Sequence, residues 1–465
     1  MKCLLAFFST FALLHSAFSA QPNIVVFISD DHSQLDSRAY GSTEVRTPNM
    51  AKLAADGLKF THAFVASPSC GPSRTAMLTG LWSARNGAEA NHQGKRPEVP
   101  SLPTVLRRIG YEVVVIGKVA HNSWAKFYDF DVVIGPTVGI SDKAEVAKFL
   151  NERKSAKPLC LFIGTRHPHV PWSDERSYDP AKVNIPPTHV DTAVTREQRA
   201  SYLTDITKSD TLLGEVRALA REKVTGDTLF IYTSDHGGQW PFGKWNLYDA
   251  GIRVPLIITW PGTLKPATST DAMVSWPDLL PTFIELGGGE VPAGIDGQSF
   301  AGILRGTTAT HRERIFTTHT GDGDFNVYPI RSVRTRDWKY LRNLHPEFQH
   351  HSHITRSTGP SGLVYWKTWL TAAEKDPAAA ATVKRFTTRP AEELYDLTTD
   401  PNELRNLATD PKQAERLAKM RSDLDAWMKQ QGDTQPVFGK PLFQGEPVTL
   451  IDREAAKKAK KKKAE

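Results

Sequence analysis

Short apolar runs rich in Val, Ile and Leu alternate with amphipathic stretches over the first 290 or so residues. The runs 22-PNIVVFISDDH-32, 111-YEVVVIGK-118, 158-PLCLFIGTRH-167, 228-TLFIYTSDHG-237 and 253-RVPLIITWPG-262 have the near-continuous hydrophobicity of strands buried on both faces. Between them, 48-PNMAKLAADG-57, 74-RTAMLTGLW-82, 101-SLPTVLRRIG-110, the long 196–224 stretch and 277-PDLLPTFIELGG-288 carry helical spacing. Strands alternating with helices predict an α/β fold, a mostly parallel sheet sandwiched by helices. After about residue 310 the pattern changes. The run 327-VYPIRSVRTRDWKYLRNL-344 alternates as antiparallel strands do, and 411-PKQAERLAKMRSDLDAWMKQQ-431 reads as one amphipathic helix. The expected layout is a leader over 1–20, a main domain over 21–310, a smaller α+β subdomain over 311–435, and an extended segment with a Lys-rich tail over 436–465.

Composition changes this picture at three points. The formal charge is +7, which invites a nucleic-acid partner, but its distribution argues against one. The tail 457-KKAKKKKAE-465 contributes +5 and Lys2 one more, leaving about +1 for the body. The start, MKCLLAFFSTFALLHSAFSA, has the Lys, apolar run and small residues of a secretory signal peptide cleaved near Ala20. It is too short for a stable membrane span, and an exported, periplasmic or secreted protein is expected. Of the 3 cysteines, Cys70 and Cys160 would remain after cleavage, too few for a disulfide scaffold. One bridge between them stays open, although Cys160 sits in an apolar strand run and reads as packing.

Polar residues gather where the predicted strands end: Asp30 and Asp31, Lys118, His167 and His169, Asp235 and His236. In open α/β sheets, sites form at those carboxyl ends. Adjacent acids repel unless a cation lies between them, and oxygen-rich clusters suit Ca²⁺ or Mg²⁺. The plainer reading is that such acids cap the helices that follow. Arg74, Lys118, His121, His169 and Lys244 are each unremarkable alone. Set around a hard metal, they describe a pocket for a sulfate or phosphate.

The stretch 70-CGPSRTAMLTG-80 resembles the signature of the sulfatase family, Cys-x-Pro-x-Arg followed by Leu-Thr-Gly. Further matches follow in order from about residue 22 to 430, among them 47-TPNMAKLAADGLKFTHAF-64, 116-IGK-118, 168-PHVP-171, 234-SDHG-237, 244-KWNLYDAGIRVP-255 and 394-LYDLTTDPNELRNLA-408. The stretches 86-NGAEANH-92, 331-RSVRTRDWKYLRNL-344 and 425-DAWMKQQ-431 look most like the heparan N-sulfatase branch. The resemblance implies an alkaline-phosphatase-like fold and conversion of Cys70 to Cα-formylglycine by a maturation enzyme that reads the Cys-x-Pro-x-Arg pattern. The hydrated aldehyde is a geminal diol: one oxygen attacks sulfur, and the other later expels sulfate.

Carried over residue by residue, the family's pattern implies metal ligation by Asp30, Asp31, Asp235, His236 and modified Cys70, with Ca²⁺ as the ion and Mg²⁺ as the alternative. Arg74 and Lys118 would hold the diol and the sulfate oxygens. His121 would assist deprotonation or collapse of the diol, and His169 and Lys244 would bind sulfate, one of them serving as acid. Two departures are visible: His236 stands where many sulfatases have Asn, and Lys118 and His121 have two residues between them rather than one. His92, His319 and the cluster 345-HPEFQHHSH-353, beginning at His345, are candidates for binding sugar. The expected function is hydrolysis of a sulfate ester or sulfamate on a sulfated glycan. A phosphonate or phosphate ester hydrolase of the same superfamily, or a silent glycan-binding homologue, stays open beside it.

Overall fold

The computed structural model describes residues 21–359 and 364–452. The leader expected over 1–20 and the Lys-rich end of the tail lie outside the described residues. The main sheet has eight strands, in the spatial order Val132–Ile134, Glu112–Gly117, Leu159–Gly164, Asn23–Ser29, Thr228–Ser234, Leu256–Thr259, Leu58–Phe60 and Thr268–Thr270. The first five run parallel. Alternate side chains of each central strand enter different cores. Ile24, Val26 and Ile28 join Val113, Val115, Phe162 and Ile231 on one face. Val25 and Phe27 join Val114, Ile116, Leu161 and Tyr232 on the other, beneath the long helix Ala193–Lys223. Helices cover both faces, and that is why these strands read as unbroken apolar runs.

The sheet is mostly parallel as expected, with one reversal, and one helix starts earlier than expected. The strand at 256–259 is antiparallel to its neighbour, with Leu256 opposite Thr233. Its connection from Ser234 contains a single short helix, Asp249–Ile252, and stays at the end of the sheet where it began, so the chain can only run back. The helix expected to begin at Arg74 begins at Cys70 and ends at Thr79, with Gly80 left-handed (φ +65°) closing it. Ser, Gly and Pro at 69–73 suggest a loop, but Pro72 falls in the first turn, where a missing N–H costs nothing.

A second, four-stranded antiparallel sheet is formed by Ile315–Asp322, Asn326–Arg334, Trp338–Asn343 and Glu392–Asp396. The helix Ala414–Gln431 packs on it through Leu417, Met420, Leu424 and Trp427, and the same apolar cluster includes Ala76 from the Cys70 helix and Trp82 just beyond it. Trp82 and Trp427 meet edge to face at 5.7 Å. The smaller sheet therefore props the element that carries Cys70 and Arg74. Cys70 and Cys160 are both free and buried, so the bridge left open by the sequence is not formed.

Candidate active site

Four parallel-strand ends and one helix start meet at a single point. Ser29 and Ser234 are register partners, so the acid pairs that follow them, Asp30–Asp31 and Asp235–His236, emerge side by side. Lys118 follows Gly117, whose register partner is Gly164. Each glycine sits against backbone: a Cβ on Gly164 would lie 1.9 Å from the Lys118 carbonyl oxygen, and one on Gly117 would lie 2.3 Å from the Gly164 oxygen. That closeness lets the chain turn over the sheet edge and aim Lys118 inward. Cys70 opens its helix and Arg74 stands one turn later on the same face. Lys244 and Trp245 come from the connection that stays at this end of the sheet.

The inner site is a set of buried ion pairs around the Cys70 thiol. Lys118 Nζ lies 2.5 Å from Asp30 Oδ2, Lys244 Nζ 2.9 Å from Asp31 Oδ1, and Arg74 Nη2 2.9 Å from Asp235 Oδ2 and 3.2 Å from Asp30 Oδ1. Arg74 also donates to the Lys118 carbonyl. The Sγ of Cys70 is 3.3 Å from His236 Nε2 and 3.6 Å from Lys118 Nζ. Burial works to raise the thiol's pKa, but Lys118 and Lys244 outweigh it and hold it well below the ordinary value. Burial likewise opposes ionisation of Asp30; Lys118, with His169, Arg74 and Lys244 behind it, keeps it well below the usual range. Burial, outweighing Arg74 and His236, pushes Asp235 up to about 7. Burial would lower His236, yet Asp235 and Asp31 lift it to about 9.

One donor atom from each of Asp30, Asp31, Cys70, Asp235 and His236 lies within 4.8 Å of the others. Three carboxylates and an imidazole converging in one buried spot fit a divalent cation. The charges agree. Three carboxylates face three cations, so a dication leaves an excess of positive charge that an anionic substrate and an ionised residue 70 would neutralise.

Above this floor opens a cavity of about 510 Å³, lined by Asp30, Cys70, Lys118, His121, His169 and Lys244 and, further out, by Asn91, His92, Arg166, Gln239, Trp245, Asp322 and His353, among others. Asp322 is a hub: it accepts from Asn91 Nδ2 at 2.9 Å and Trp245 Nε1 at 2.8 Å, and its Oδ1 lies 3.3 Å from His92 Nε2. His92 Nδ1 is in turn 2.7 Å from His121 Nε2. Burial works against the Asp322 carboxylate, but His353 and His92 hold its pKa well below the ordinary value. An ionised carboxylate only accepts, so a neutral His92 carries its proton on Nε2 and accepts at Nδ1 from Nε2–H of His121. The Nδ1 of His121, buried and without a hydrogen-bond partner in the protein, is left with its lone pair. His169 directs Nδ1–H to the Val170 carbonyl at 2.6 Å, which leaves its Nε2 for the cavity.

Of the residues assigned by the sequence to metal and catalysis, Asp30, Cys70, Lys118, His121, His169 and Lys244 line this pocket, as does His92, while Asp31, Arg74, Asp235 and His236 lie in the ion-paired cluster at its floor. His319 and His345 do not line it. His319 is buried in the smaller sheet with Nε2 on Asn326 Oδ1 at 2.8 Å; His345 pairs with Glu347 at 2.9 Å and stacks on Phe348. Of the cluster 345–353, His353 reaches the cavity, between the rings of Trp245 at 4.9 Å and Phe325 at 4.0 Å. Asp322, Trp245 and Arg166 were not singled out. Trp245 adjoins Lys244, a usable signal; an isolated Asp322 offers none.

Profiles of two families match the chain: sulfatase, over residues 22–289, and N-sulphoglucosamine sulphohydrolase, C-terminal, over residues 235–360. An ulvan-active sulfatase of Formosa agariphila is 32% identical over 441 residues, covering 92% of this chain and 84% of that one. Human N-sulphoglucosamine sulphohydrolase is 28% identical, covering 89% and 91%. Among solved structures, a protein in complex with its substrate D-glucosamine-2-N,6-O-disulfate superposes with a TM-score of 0.68 at 19% identity, covering 90% of this chain and 99% of that one. A phosphonate monoester hydrolase from Silicibacter pomeroyi gives 0.67 at 20% identity, covering 89% and 96%, so the fold alone does not choose between sulfur and phosphorus. The extent of the first profile, together with an identity above 30% over nearly the whole chain, makes this protein a member of the sulfatase family, with a C-terminal region of the N-sulphoglucosamine sulphohydrolase type.

Proposed function

We propose that the protein hydrolyses a sulfate ester or sulfamate on a sulfated glycan of the N-sulfoglucosamine kind or a related sugar sulfate, with residue 70 acting as formylglycine. The observation that carries this reading is the position of Cys70, at the floor of the cavity, where it converges with four other candidate metal donors and is flanked by three lysine and arginine cations. A divalent cation held by Asp30, Asp31, Asp235, His236 and residue 70, Ca²⁺ in our reading with Mg²⁺ as alternative, would draw charge from sulfate oxygens and acidify the hydrate of residue 70. Lys118 and Arg74 border residue 70 and would hold its oxygens and those of sulfate. His121 Nδ1 would take the hydroxyl proton. Lys244 is held charged by Asp31 and suits a sulfate ligand more than an acid. His169 suits the acid: burial, with Lys244 behind it, keeps its pKa below the ordinary value, so a proton drawn onto Nε2 by the anionic substrate is readily given to the leaving atom.

A maturation enzyme and export through the leader over 1–20 are parts of the same proposal. The test is a mass spectrum of the tryptic peptide containing residue 70, from protein made in its native host. Formylglycine lowers its mass by about 18 Da, a change distinct from thiol oxidation, which adds oxygen. Unmodified cysteine, in a host with active maturation machinery, overturns the proposal. The N-terminus of the same sample is expected near Gln21; an intact Met1 overturns the export reading.

A further inference from the structure

We infer that the substrate carries a second acidic group, a uronate carboxylate or a second sulfate, and that Arg166 binds it. The inference rests on the sulfatase reading above and narrows its substrate class.

Lys118 is matched by Asp30 at 2.5 Å and Lys244 by Asp31 at 2.9 Å, while Arg74, beneath them, is matched by Asp235. Arg166 also lines the cavity, yet among the described residues no carboxylate lies within ion-pair distance of its guanidinium, and its side chain makes no hydrogen bond. The outer carboxylate, Asp322, is taken up by Asn91, His92 and Trp245. A guanidinium on a half-buried residue, with five donors open to the cavity and no protein acceptor among the described residues, matches a planar or tetrahedral oxyanion that docks there.

The backbone of Arg166 is held firmly while its side chain is not. Its N–H donates to the Ile140 carbonyl at 2.9 Å, and its own carbonyl accepts from His169 N at 3.0 Å. Gly139 sits directly on it, at φ +100°: a Cβ there would meet Arg166 N at 2.5 Å. Arg166 is therefore anchored three residues before His169, which faces the scissile group, and its long side chain has the cavity to move in. A cavity of about 510 Å³ is far larger than one sulfate needs and has room for the sugar ring that separates the two anions.

The experiment compares matured wild-type, Arg166→Met and Arg166→Lys enzymes on three probes: N-sulfoglucosamine, glucosamine N,6-O-disulfate, and a disaccharide linking a uronate to N-sulfoglucosamine. The Met variant is expected to lose about 10-fold to 100-fold in kcat/KM on a probe with the second acid and to keep its rate on the first, with Lys restoring part of the loss. Loss confined to the disulfate identifies the second group as sulfate; loss confined to the disaccharide identifies it as carboxylate. Equal loss on all three probes, or no loss, overturns the inference while leaving the sulfatase reading intact. Binding provides a readout without turnover. Inactive Cys70→Ala protein is titrated calorimetrically with the same sugars, with and without Arg166→Met. Tighter binding of a doubly acidic sugar that disappears with Arg166 supports the inference, and binding that ignores the second acid overturns it. A matured enzyme that cleaves none of the probes, and whose Cys70→Ala form binds none, takes both readings down together.

Discussion

At the scale of single residues, the chain Asp322–His92–His121 decides which nitrogen of His121 can act as a base. The carboxylate accepts from His92, His92 accepts from His121, and Nδ1 of His121 is left open. Asp322→Asn can offer an amide N–H to His92 and so reverse both tautomers. We expect kcat to fall about 100-fold with KM little changed, because Asp322 acts through two other side chains and does not grip the sulfate. Unchanged kcat would sink the relay. Long-range ¹H–¹⁵N spectra of histidine-labelled protein report the tautomer directly, without turnover. The residues of the inner site were legible because each lies in a short local pattern: two acid pairs at strand ends, and Cys70 with Arg74 one turn apart. His353 was marked only as one of a histidine cluster, and Asp322, between two glycines in the smaller sheet, was not marked at all. His319 and His345 had the same composition signal and turned out to be structural, one bonded within a sheet and the other stacked on a phenylalanine.

At the scale of elements, the glycine pair Gly117–Gly164 is what allows two adjacent parallel strands to end at the same depth and turn Lys118 toward Asp30. Gly164→Ala would drive a methyl group into the Lys118 backbone, where no flexible side chain can yield. A loss of about 3 kcal/mol in urea unfolding is expected, with activity lost even where the fold survives because Lys118 has moved. A variant as stable and active as wild type would show that the close approach is not needed. The parallel strands themselves were legible from their apolar runs. Strands of only three residues, such as Leu58–Phe60 and its edge neighbour Thr268–Thr270, have too few positions for any period to register. The reversal of Leu256–Thr259 was hidden for another reason: direction is set by where the connection leads, and the stretch from 238 to 252 carries no pattern that tells which way it goes.

At the scale of the whole molecule, two balances bear on stability. His319 is buried and His189 half-buried, and desolvation lowers their pKa values to about 4 and about 3. The unfolded chain takes up protons at these positions below about pH 6.5 and the native protein does not, so stability falls as pH drops through that window by about 1.4 kcal/mol per pH unit for each group. Asp235, pushed up to about 7, acts in the opposite sense over the same window, so the term is read by difference: between pH 7 and 5 the unfolding free energy of His319→Gln should fall less steeply than that of wild type, by about one proton. The second balance is the pairing of three carboxylates with three cations around Cys70, so that neither set of buried charges depends on a metal alone for its partners. Chelation is expected to abolish turnover while leaving one cooperative melt. Ca²⁺ at about 100 times its Kd should then add roughly 2.7 kcal/mol. Collapse of the fold on chelation would refute that expectation.

The burial of the helix Cys70–Thr79 has a further consequence, one of timing. All ten of its residues are buried, and they are wedged between the main sheet and the cluster that holds Trp427. A small reagent could reach the sulfur through the cavity, but an enzyme that must grip the backbone from 70 to 74 could not. If residue 70 is rewritten as proposed above, each molecule has one window for it, between synthesis and docking of this helix. On that reading a chain that folds first keeps its thiol. The competent fraction of a preparation is then a ratio of two rates rather than an equilibrium, and anything that hastens folding lowers it.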